Sequence, residues 1–328
     1  MVDTEQVPWT ARLRDPRFRT IFFFGIASGL PSSLVFATLS IWLREEGVSR
    51  TSIGLIGAAA TPYAINFLWA PFVDRFRLGW LQRRLGQRRS WILACQVLLL
   101  PAIVVMGLQE PGNATLLIGI SALAISVFSA TQDVAIDAYR VEILEPHEYG
   151  AGAALAIYGW HTGAFMTGAG ALYVAAFGGW TTAYFASAAM VGLVSIATLL
   201  AREPQRPAAT LAPAKNSVDW LRQAAIAPLT DFFGRLGWLA ALVLAVIIFY
   251  KFGDAMLGRM AGVFYVDLGF TKIEIANYTK SVGLLATLLG VGVGGWVCIR
   301  LGTMRAMFLG AFLCIAVMPV PLSASALI

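Results

Sequence analysis

The stretch TIFFFGIASGLPSSLVFATLSIWL, residues 20–43, contains no charged side chain. A helix needs about 20 consecutive apolar residues to cross the hydrocarbon core of a bilayer, which is about 30 Å thick. This stretch has that length and is not followed by a small-residue cleavage site, so it predicts a membrane span rather than a signal peptide. Because lipid offers the backbone no hydrogen-bond partners, the span must be helical.

The composition extends this interpretation to the whole chain. Hydrophobic residues make up 58% and charged residues 13% of the 328 positions, whereas soluble domains carry about 45–50% apolar and about 25% charged residues. The formal net charge is +6, but the basic residues gather in a few loops, which argues against a nucleic-acid-binding face. The three cysteines lie in apolar runs without metal-ligand or disulfide spacing, so we expect no metal and no cofactor.

Nine segments reach membrane length and predict an all-α membrane protein that is embedded in the lipid bilayer. They are residues 20–43, 53–73, 91–108, 114–138, 150–177, 180–201, 236–266, 273–299 and 303–325. Glycines in GxxxG spacing predict close contacts between some of these helices. The pairs are Gly25 and Gly29, Gly159 and Gly163, and Gly290 and Gly294.

The longest polar stretch, residues 202–235, separates six predicted spans from three. We therefore expect an N-terminal six-helix bundle over 1–201, a cytoplasmic linker over 202–235 and a partial C-terminal bundle, helices seven to nine, over 236–328. Two six-helix halves are a common transporter layout. The expected total is thus twelve spans or more, and we expect that about three C-terminal helices are missing.

Lys and Arg residues set the expected orientation, because cytoplasmic loops carry an excess of them. With the N-terminus in the cytoplasm, the basic residues before the first span, in the second loop and in the linker all lie inside. The opposite side then receives Arg44, Arg50 and Lys272. The sequence therefore predicts a multi-pass protein whose N-terminus is cytoplasmic.

Helix four ends in SATQDVAIDAYR, residues 129–140. Asp133, Asp137 and Arg140 stand at i, i+4 and i+7, so they share one helix face. Ionisable groups inside a span cost about 2.5–3.5 kcal/mol on insertion scales, which makes them functional candidates. This face is therefore the first place at which we expect chemistry.

Two interpretations of this face remain open. In the first, Asp133 and Asp137 are proton-coupling residues beside a central cavity, and Gln132 binds substrate. In the second, the charges form an inner gate with the end of helix two. We expect Asp133 to act in coupling, and Asp137 is compatible with either role. The predicted cytoplasmic gate consists of Asp74, Arg75 and Arg140.

Helices seven and eight carry a second set of charges. Lys251 and Asp254 are i, i+3 and can pair, while Lys280 enters from the opposite side, so the two lysines are expected at similar depth. Two cations beside a midplane cavity suit an anionic substrate, and we predict Lys251, Asp254 and Lys280 as substrate-binding residues. The alternative is a structural Lys251–Asp254 pair and a Lys280 amine that extends to the membrane surface.

Several motifs resemble one transporter family. Asp74-Arg75 followed by Gly86-Gln87-Arg88-Arg89 resembles the loop signature of the major facilitator superfamily, with Ala70 where glycine is usual and a longer loop. The helix-four run, residues 129–140, is similar to that of AmpG-type muropeptide permeases. Further similar segments are Leu68-Trp69-Ala70-Pro71, Tyr250-Lys251-Phe252-Gly253-Asp254, and Lys280 with Gly283-Leu284-Leu285-Ala286-Thr287.

The resemblance implies a major facilitator fold in the bacterial inner membrane. It implies import of anhydro-muropeptides, the disaccharide–peptide products of cell-wall turnover, with the proton gradient as drive. Such import serves cell-wall recycling, and its partners are the small-molecule substrate and protons. The matching positions are Gln132, Asp133, Asp137, Arg140, Lys251, Asp254 and Lys280.

Three alternatives are compatible with the residues. The same fold could carry another anionic or sugar-like solute, since the motifs do not show the cargo directly. A more distant alternative is an enzyme, an intramembrane aspartyl protease with Asp137 and Asp254 as its pair, although two spans and the linker separate them. A third is a truncated product without activity. We expect a transporter and not an enzyme.

Overall fold

The computed structural model describes residues 14–204 without a gap. Beyond them it describes residues 230, 233–235, 237–242, 244–245, 261–283, 285–287, 289–290, 293, 297, 305, 309–310 and 312–313. The larger of two compact units ends at Ala276, and the smaller begins at Asn277. The described backbone is helical almost throughout and contains no strand, which confirms the predicted all-α class.

The helices are numbered in chain order. They are α1 (Pro16–Ser33), α2 (Leu39–Glu45), α3 (Arg50–Gly57), α4 (Pro62–Ile65), α5 (Ala70–Arg75), α6 (Gly79–Leu85), α7 (Gln87–Gly107), α8 (Pro111–Ile143), α9 (Tyr149–Phe165), α10 (Ala171–Leu200) and α11 (Lys272–Glu274). Short 3₁₀ turns cover Ala58–Ala60, Asn66–Leu68 and Pro146–Glu148, and wider π turns cover Leu34–Thr38, Met166–Gly170 and Ile275–Val282. Residues 261–267 are helical as well.

Five continuous helical stretches are long and apolar enough to cross a membrane. They are Pro16–Glu45, Arg50–Leu68, Gln87–Gly107, Ala114–Ile143 and Tyr149–Leu200. The last contains two predicted spans, because Gly179 adopts a positive φ of 78°, which glycine tolerates, and interrupts the helix. The first six predicted spans thus coincide with helices. Most of the remaining three lies outside the described residues, as does Gly294, and the division into bundle, linker and second bundle remains a prediction.

Two helices extend past the predicted span limits at one end, because charged residues there have partners. α1 begins at Pro16, where the Asp15 carboxylate caps the helix by accepting from the backbone N–H of Arg17 at 2.8 Å. α8 continues to Ile143 instead of ending near residue 138. Glu142, in its last turn, forms an ion pair with Arg88. A charged residue that has a partner can extend a helix beyond the apolar segment from which the span was predicted.

The second span is broken into short pieces. α3, α4 and α5 are separated by 3₁₀ turns, and Pro62 and Pro71 each stand at the start of a piece. Proline lacks an amide hydrogen and its ring displaces the preceding turn, so a straight helix cannot form. Irregular backbone at membrane depth needs protein packing. Here the indole of Trp69 donates to Thr131 Oγ1 of α8 at 3.1 Å, which anchors the break.

α1 and α9 pack backbone against backbone. Gly25 and Gly29 of α1 face Gly159 and Gly163 of α9, and a Cβ on Gly159 would overlap the carbonyl oxygen of Phe22. The GxxxG prediction is confirmed for these two pairs. In lipid, where no hydrophobic drive brings helices together, this close van der Waals packing holds the two spans.

Both helices then pass into π turns that lie against each other. Thr167 Oγ1, in Met166–Gly170, donates to the carbonyl of Leu30 at 2.7 Å. Thr38 Oγ1, in Leu34–Thr38, donates to the carbonyl of Thr167 at 2.8 Å. A π turn disturbs the regular backbone pairing, and the two threonine hydroxyls supply partners inside the bundle, where water is excluded.

Candidate functional site

Polar side chains of the bundle gather in its interior and at its two ends. The stretch Pro16–Glu45 is about 45 Å long at 1.5 Å per residue, so its ends lie on opposite sides of the bundle. We call the side of Pro16 the proximal end and the side of Glu45 the distal end.

Asp133 lies in the interior, where α8 faces α1 and the second span. The hydroxyl of Ser28 bonds to its carboxylate, and Tyr63 and Cys95 lie close enough to sense its charge. Within the described part of the chain, its Oδ1 lacks a hydrogen-bond partner and no basic side chain pairs with it. Among the described residues, this carboxylate can therefore change its protonation state without breaking an ion pair.

Gln132 is fully buried beside Asp133 and joins α8 to α1. Its Nε2 donates to the carbonyl of Ala27 at 2.9 Å, while its Oε1 finds no partner among the described residues. This hydrogen bond holds α8 and α1 in register, so that Asp133 lies beside Ser28, the residue after Ala27. Gln132 Oε1 is the atom that could accept from a substrate, and substrate binding by Gln132 stays a prediction.

Asp137 and Arg140 form an ion pair of 3.0 Å one turn further along α8, as their spacing predicts. The Asp137 side chain is 66% exposed. Asp137 thus differs from Asp133 in having an exposed side chain and a cationic partner. Its predicted part in proton coupling stays a prediction.

Arg88 is the centre of an ion network at the proximal end. Its side chain is 5% exposed, and its guanidinium contacts Asp74 of α5 at 2.5 Å and Glu142 of α8 at 2.6 Å. Glu203, just after α10, accepts from the backbone N–H groups of Arg88 at 2.7 Å and Arg89 at 3.1 Å. The start of α7 is therefore tied to α5, to α8 and to the end of α10.

Two of the three predicted gate residues take part in separate ion pairs. Asp74 pairs with Arg88, whereas Arg140 pairs within its own helix. Arg75 is the last residue of α5. The connection between the second and fourth spans thus runs from Asp74 through Arg88 to Glu142, and the described ion pairs of Asp74 and Arg140 do not join these two residues directly. Whether these residues gate transport remains a prediction.

Sequence reasoning missed Arg88 and Glu142 as site residues. Arg88 belongs to the loop motif, but Glu142 is 54 positions away, and no spacing rule links the two. One signal could have found Arg88. It stands in the first turn of a long apolar helix, where an unpaired charge is costly, so a partner is expected.

Asp267 accepts from two arginines at the distal end. Arg44 Nε donates to its Oδ1 at 2.5 Å, and Arg50 donates to its Oδ2 from Nε at 3.0 Å and Nη2 at 2.5 Å. Partial burial acts to raise the pKa of Asp267, but the hydrogen bonds and charges of the two guanidinium groups outweigh it and hold the pKa below its ordinary value.

Glu45, next to Arg44, makes a second set of distal contacts. One carboxylate oxygen pairs with Lys272 Nζ at 3.0 Å, and the other accepts from the indole N–H of Trp180 at 2.6 Å. The Lys272 ammonium also lies 5.1 Å from the centre of the Trp180 ring, a cation–π distance. α2, α10 and α11 therefore meet in one satisfied polar cluster.

The remaining predicted substrate residues are not placed. Lys251 and Asp254 lie outside the described residues, and of Lys280 the structure describes the backbone, within Ile275–Val282. In the ranges that are described, no three His, Cys, Asp or Glu side chains cluster to hold a metal ion.

Residues 21–326 match a family model described as Major Facilitator Superfamily. The chain is similar to the anhydromuropeptide permease of Escherichia coli strain K12, with 38% identity over 298 residues, which cover 90% of this chain and 58% of that protein. It is also similar to a Rickettsia felis protein named AmpG 4, with 34% identity over 304 residues, which cover 92% of this chain and 72% of that protein.

The fold is similar to a solved structure as well. That structure is the inward-facing, unoccupied form of a bacterial homolog of the human lysosomal transporter Spinster, with a TM-score of 0.63. The match covers 88% of this chain and 63% of the other at 15% identity. At this identity the likeness shows the fold alone.

Proposed function

We propose a transport function for this protein, because the chain belongs to the Major Facilitator Superfamily and crosses the membrane several times. That family consists of transporters and not of enzymes, which excludes the intramembrane protease. We propose that the whole protein imports anhydro-muropeptides across the bacterial inner membrane for cell-wall recycling, with protons as the coupling ion. The observation that carries the proposal is the similarity to an anhydromuropeptide permease over 90% of this chain.

The proximal end is proposed to face the cytoplasm. The loop between the second and third spans at this end is rich in arginine, which favours the cytoplasmic side. Its arginines are Arg75, Arg77, Arg83, Arg84, Arg88 and Arg89. An impermeant thiol reagent added outside should label a cysteine at Asn113 and spare one at Ser217. The reverse pattern would contradict this orientation.

Asp133 is proposed as the proton-coupling residue, with Asp137 second on the same face of α8. Transporters of this kind expose a central site to each side in turn. A carboxylate that has no cationic partner can bind a proton while the site faces outside and release it inside. The hydroxyl of Ser28 stays beside the carboxylate, so the group keeps a hydrogen-bond partner in either protonation state.

Lys251, Lys280, Asp254 and Gln132 are proposed to bind the substrate. An anhydro-muropeptide carries peptide carboxylates, and an ammonium group attracts them across a low-dielectric cavity. Gln132 contributes its amide oxygen, which accepts no hydrogen bond from the described residues. Lys251→Met should therefore weaken substrate binding while accumulation remains coupled to the pH gradient.

The test uses the full-length protein in membrane vesicles. Labelled anhydro-muropeptide should accumulate when a pH gradient is imposed and should only equilibrate without one. Unlabelled sugars and simple anionic solutes should fail to compete. Gradient-driven uptake of one of these solutes, without uptake of the anhydro-muropeptide, would overturn the proposed cargo.

A further inference from the structure

The distal polar cluster clasps a single turn from both sides. The helix that includes residues 261–267 ends beside Asp267, α11 begins at Lys272, and between them Gly269 adopts a φ of 82°, which allows the reversal. Arg44 binds one side of this turn through Asp267, and the adjacent Glu45 binds the other side through Lys272. Two neighbouring side chains of α2 therefore fix both ends of the turn.

The clasped segments are far apart in sequence. Arg44 and Arg50 flank the connection between the first and second spans, while Asp267 is 223 and 217 positions away from them. The 202–235 linker lies between, so the ion pairs join a connection of the first predicted half to one of the second. If the halves move apart at the distal end, these contacts must break.

An apolar contact lies beneath the ion pairs. A Cβ on Gly262 would stand 2.9 Å from Ile41 Cγ1 and 3.6 Å from Ser40 Oγ, so this helix lies directly on the first span. Ser40 is 7% and Ile41 1% exposed. Separation of the two segments at the distal end would bring Ser40 into contact with water.

The ion pairs are well satisfied but reversible. Both oxygens of Asp267 and both oxygens of Glu45 are used. The participating side chains are partly exposed, from 16% at Asp267 to 66% at Arg50. Ion pairs open to solvent are individually weak, because water competes for both partners. Such a set can hold a closed state and still open within a transport cycle.

We propose that these residues form a distal latch, which holds the distal end closed and releases each time the transport site opens to that side. The latch is defined as Arg44, Glu45, Arg50, Trp180, Asp267 and Lys272. The proposal rests on the proposed transport function, since only a transporter needs to open this end. The state of the latch can nevertheless be measured without any substrate.

The experiment follows the exposure of Ser40. In the full-length protein with Cys95, Cys298 and Cys314 replaced by alanine, Ser40→Cys is treated with an impermeant maleimide from the distal side. With the latch intact, labelling should be slow. Adding Asp267→Asn, which removes the charge that both arginines share, should raise the labelling rate about fivefold, the shift expected for the loss of weak ion pairs.

A matched control separates the latch from a general charge effect. Glu46→Gln removes a carboxylate from the same connection, outside the latch, and should leave the labelling rate of Ser40→Cys unchanged. Arg44→Gln combined with Arg50→Gln should reproduce the effect of Asp267→Asn, which guards against a folding defect in one variant. An unchanged rate in both latch variants would overturn the latch. Because no substrate is present, that outcome would leave the proposed cargo and coupling untouched.

Discussion

Arg88 and Glu142 form a two-point ion pair, with guanidinium–carboxylate distances from 2.6 to 3.1 Å, that ties the start of α7 to the end of α8. The pair is held where a long apolar helix emerges from the bundle. Arg88 also reaches Asp74, so one nearly buried cation balances two carboxylates. Removing the cation would break both of these ion pairs at once.

Arg88→Gln is therefore expected to destabilise the folded protein by about 3 kcal/mol, the lower end for breaking a buried ion pair, because its partners are partly exposed. The measurement is the thermal unfolding midpoint of the full-length protein in detergent. Arg83→Gln, an exposed arginine on α6, is the control and should shift stability by less than about 0.5 kcal/mol. Equal effects of the two substitutions would contradict the assigned network.

The glycine contact between α1 and α9 makes a second prediction. Gly159→Ala should cost about 1–3 kcal/mol, as overpacking does, because its Cβ would overlap the backbone of α1 and cannot be relieved by a rotamer change. Gly170→Ala, in the π turn that follows α9, meets nothing within 4 Å and should be tolerated. Thermal unfolding compares the two. A stable Gly159→Ala protein would mean that the helices can separate at little cost.

Coupling is tested by comparing the two aspartates of α8. Asp133→Asn should abolish accumulation against a gradient but preserve exchange of substrate across the membrane, because asparagine keeps the shape and cannot ionise. Asp137→Asn should lower accumulation only in part, since Asp137 is the second coupling residue, and should slow uptake because Arg140 loses its partner. Vesicle uptake with an imposed pH gradient measures both. Accumulation by Asp133→Asn would refute the assignment of the proton site.

The distal latch should be insensitive to pH over the working range. The two arginines hold the pKa of Asp267 below its ordinary value, so the stabilisation is present above that ordinary value and is lost only as pH falls through the lowered one. Labelling of Ser40→Cys, relative to an exposed cysteine at Glu46, should stay constant between about pH 8 and pH 5. An increase in the relative labelling rate of Ser40→Cys within this pH range would show that another titrating group opens the latch.

The fold follows from the sequence where one physical requirement dominates. Apolar runs of membrane length predict the first six spans, because lipid forces them to be helical. The Asp137–Arg140 pair follows from helix periodicity alone. The broken course of the second span is harder to predict from the sequence. Pro62 and Pro71 indicate an interruption of the helix, but they do not predict the 3₁₀ turns that result.

The site is less predictable because its contacts join distant parts of the chain. Asp133 is visible as a charge inside a span, but its neighbours Ser28 and Tyr63 come from two other spans. Arg44 and Asp267 lie near the ends of two different helices, 223 positions apart, and nothing local predicts that they meet. Local rules predict pairs within one helix, whereas packing of several helices decides the rest.

The π turn at Leu34–Thr38 determines where the distal charges point. A π turn holds one residue more than an α turn, and each residue of an α-helix advances about 100° around the axis. Deleting a single residue from this turn would therefore rotate α2 by about 100° about its own axis. Arg44 and Glu45 would swing away from Asp267 and Lys272 while every one of the four remained in the chain. The direction in which Arg44 and Glu45 point around the helix axis is thus set by a turn that lies within the membrane span, several residues before them.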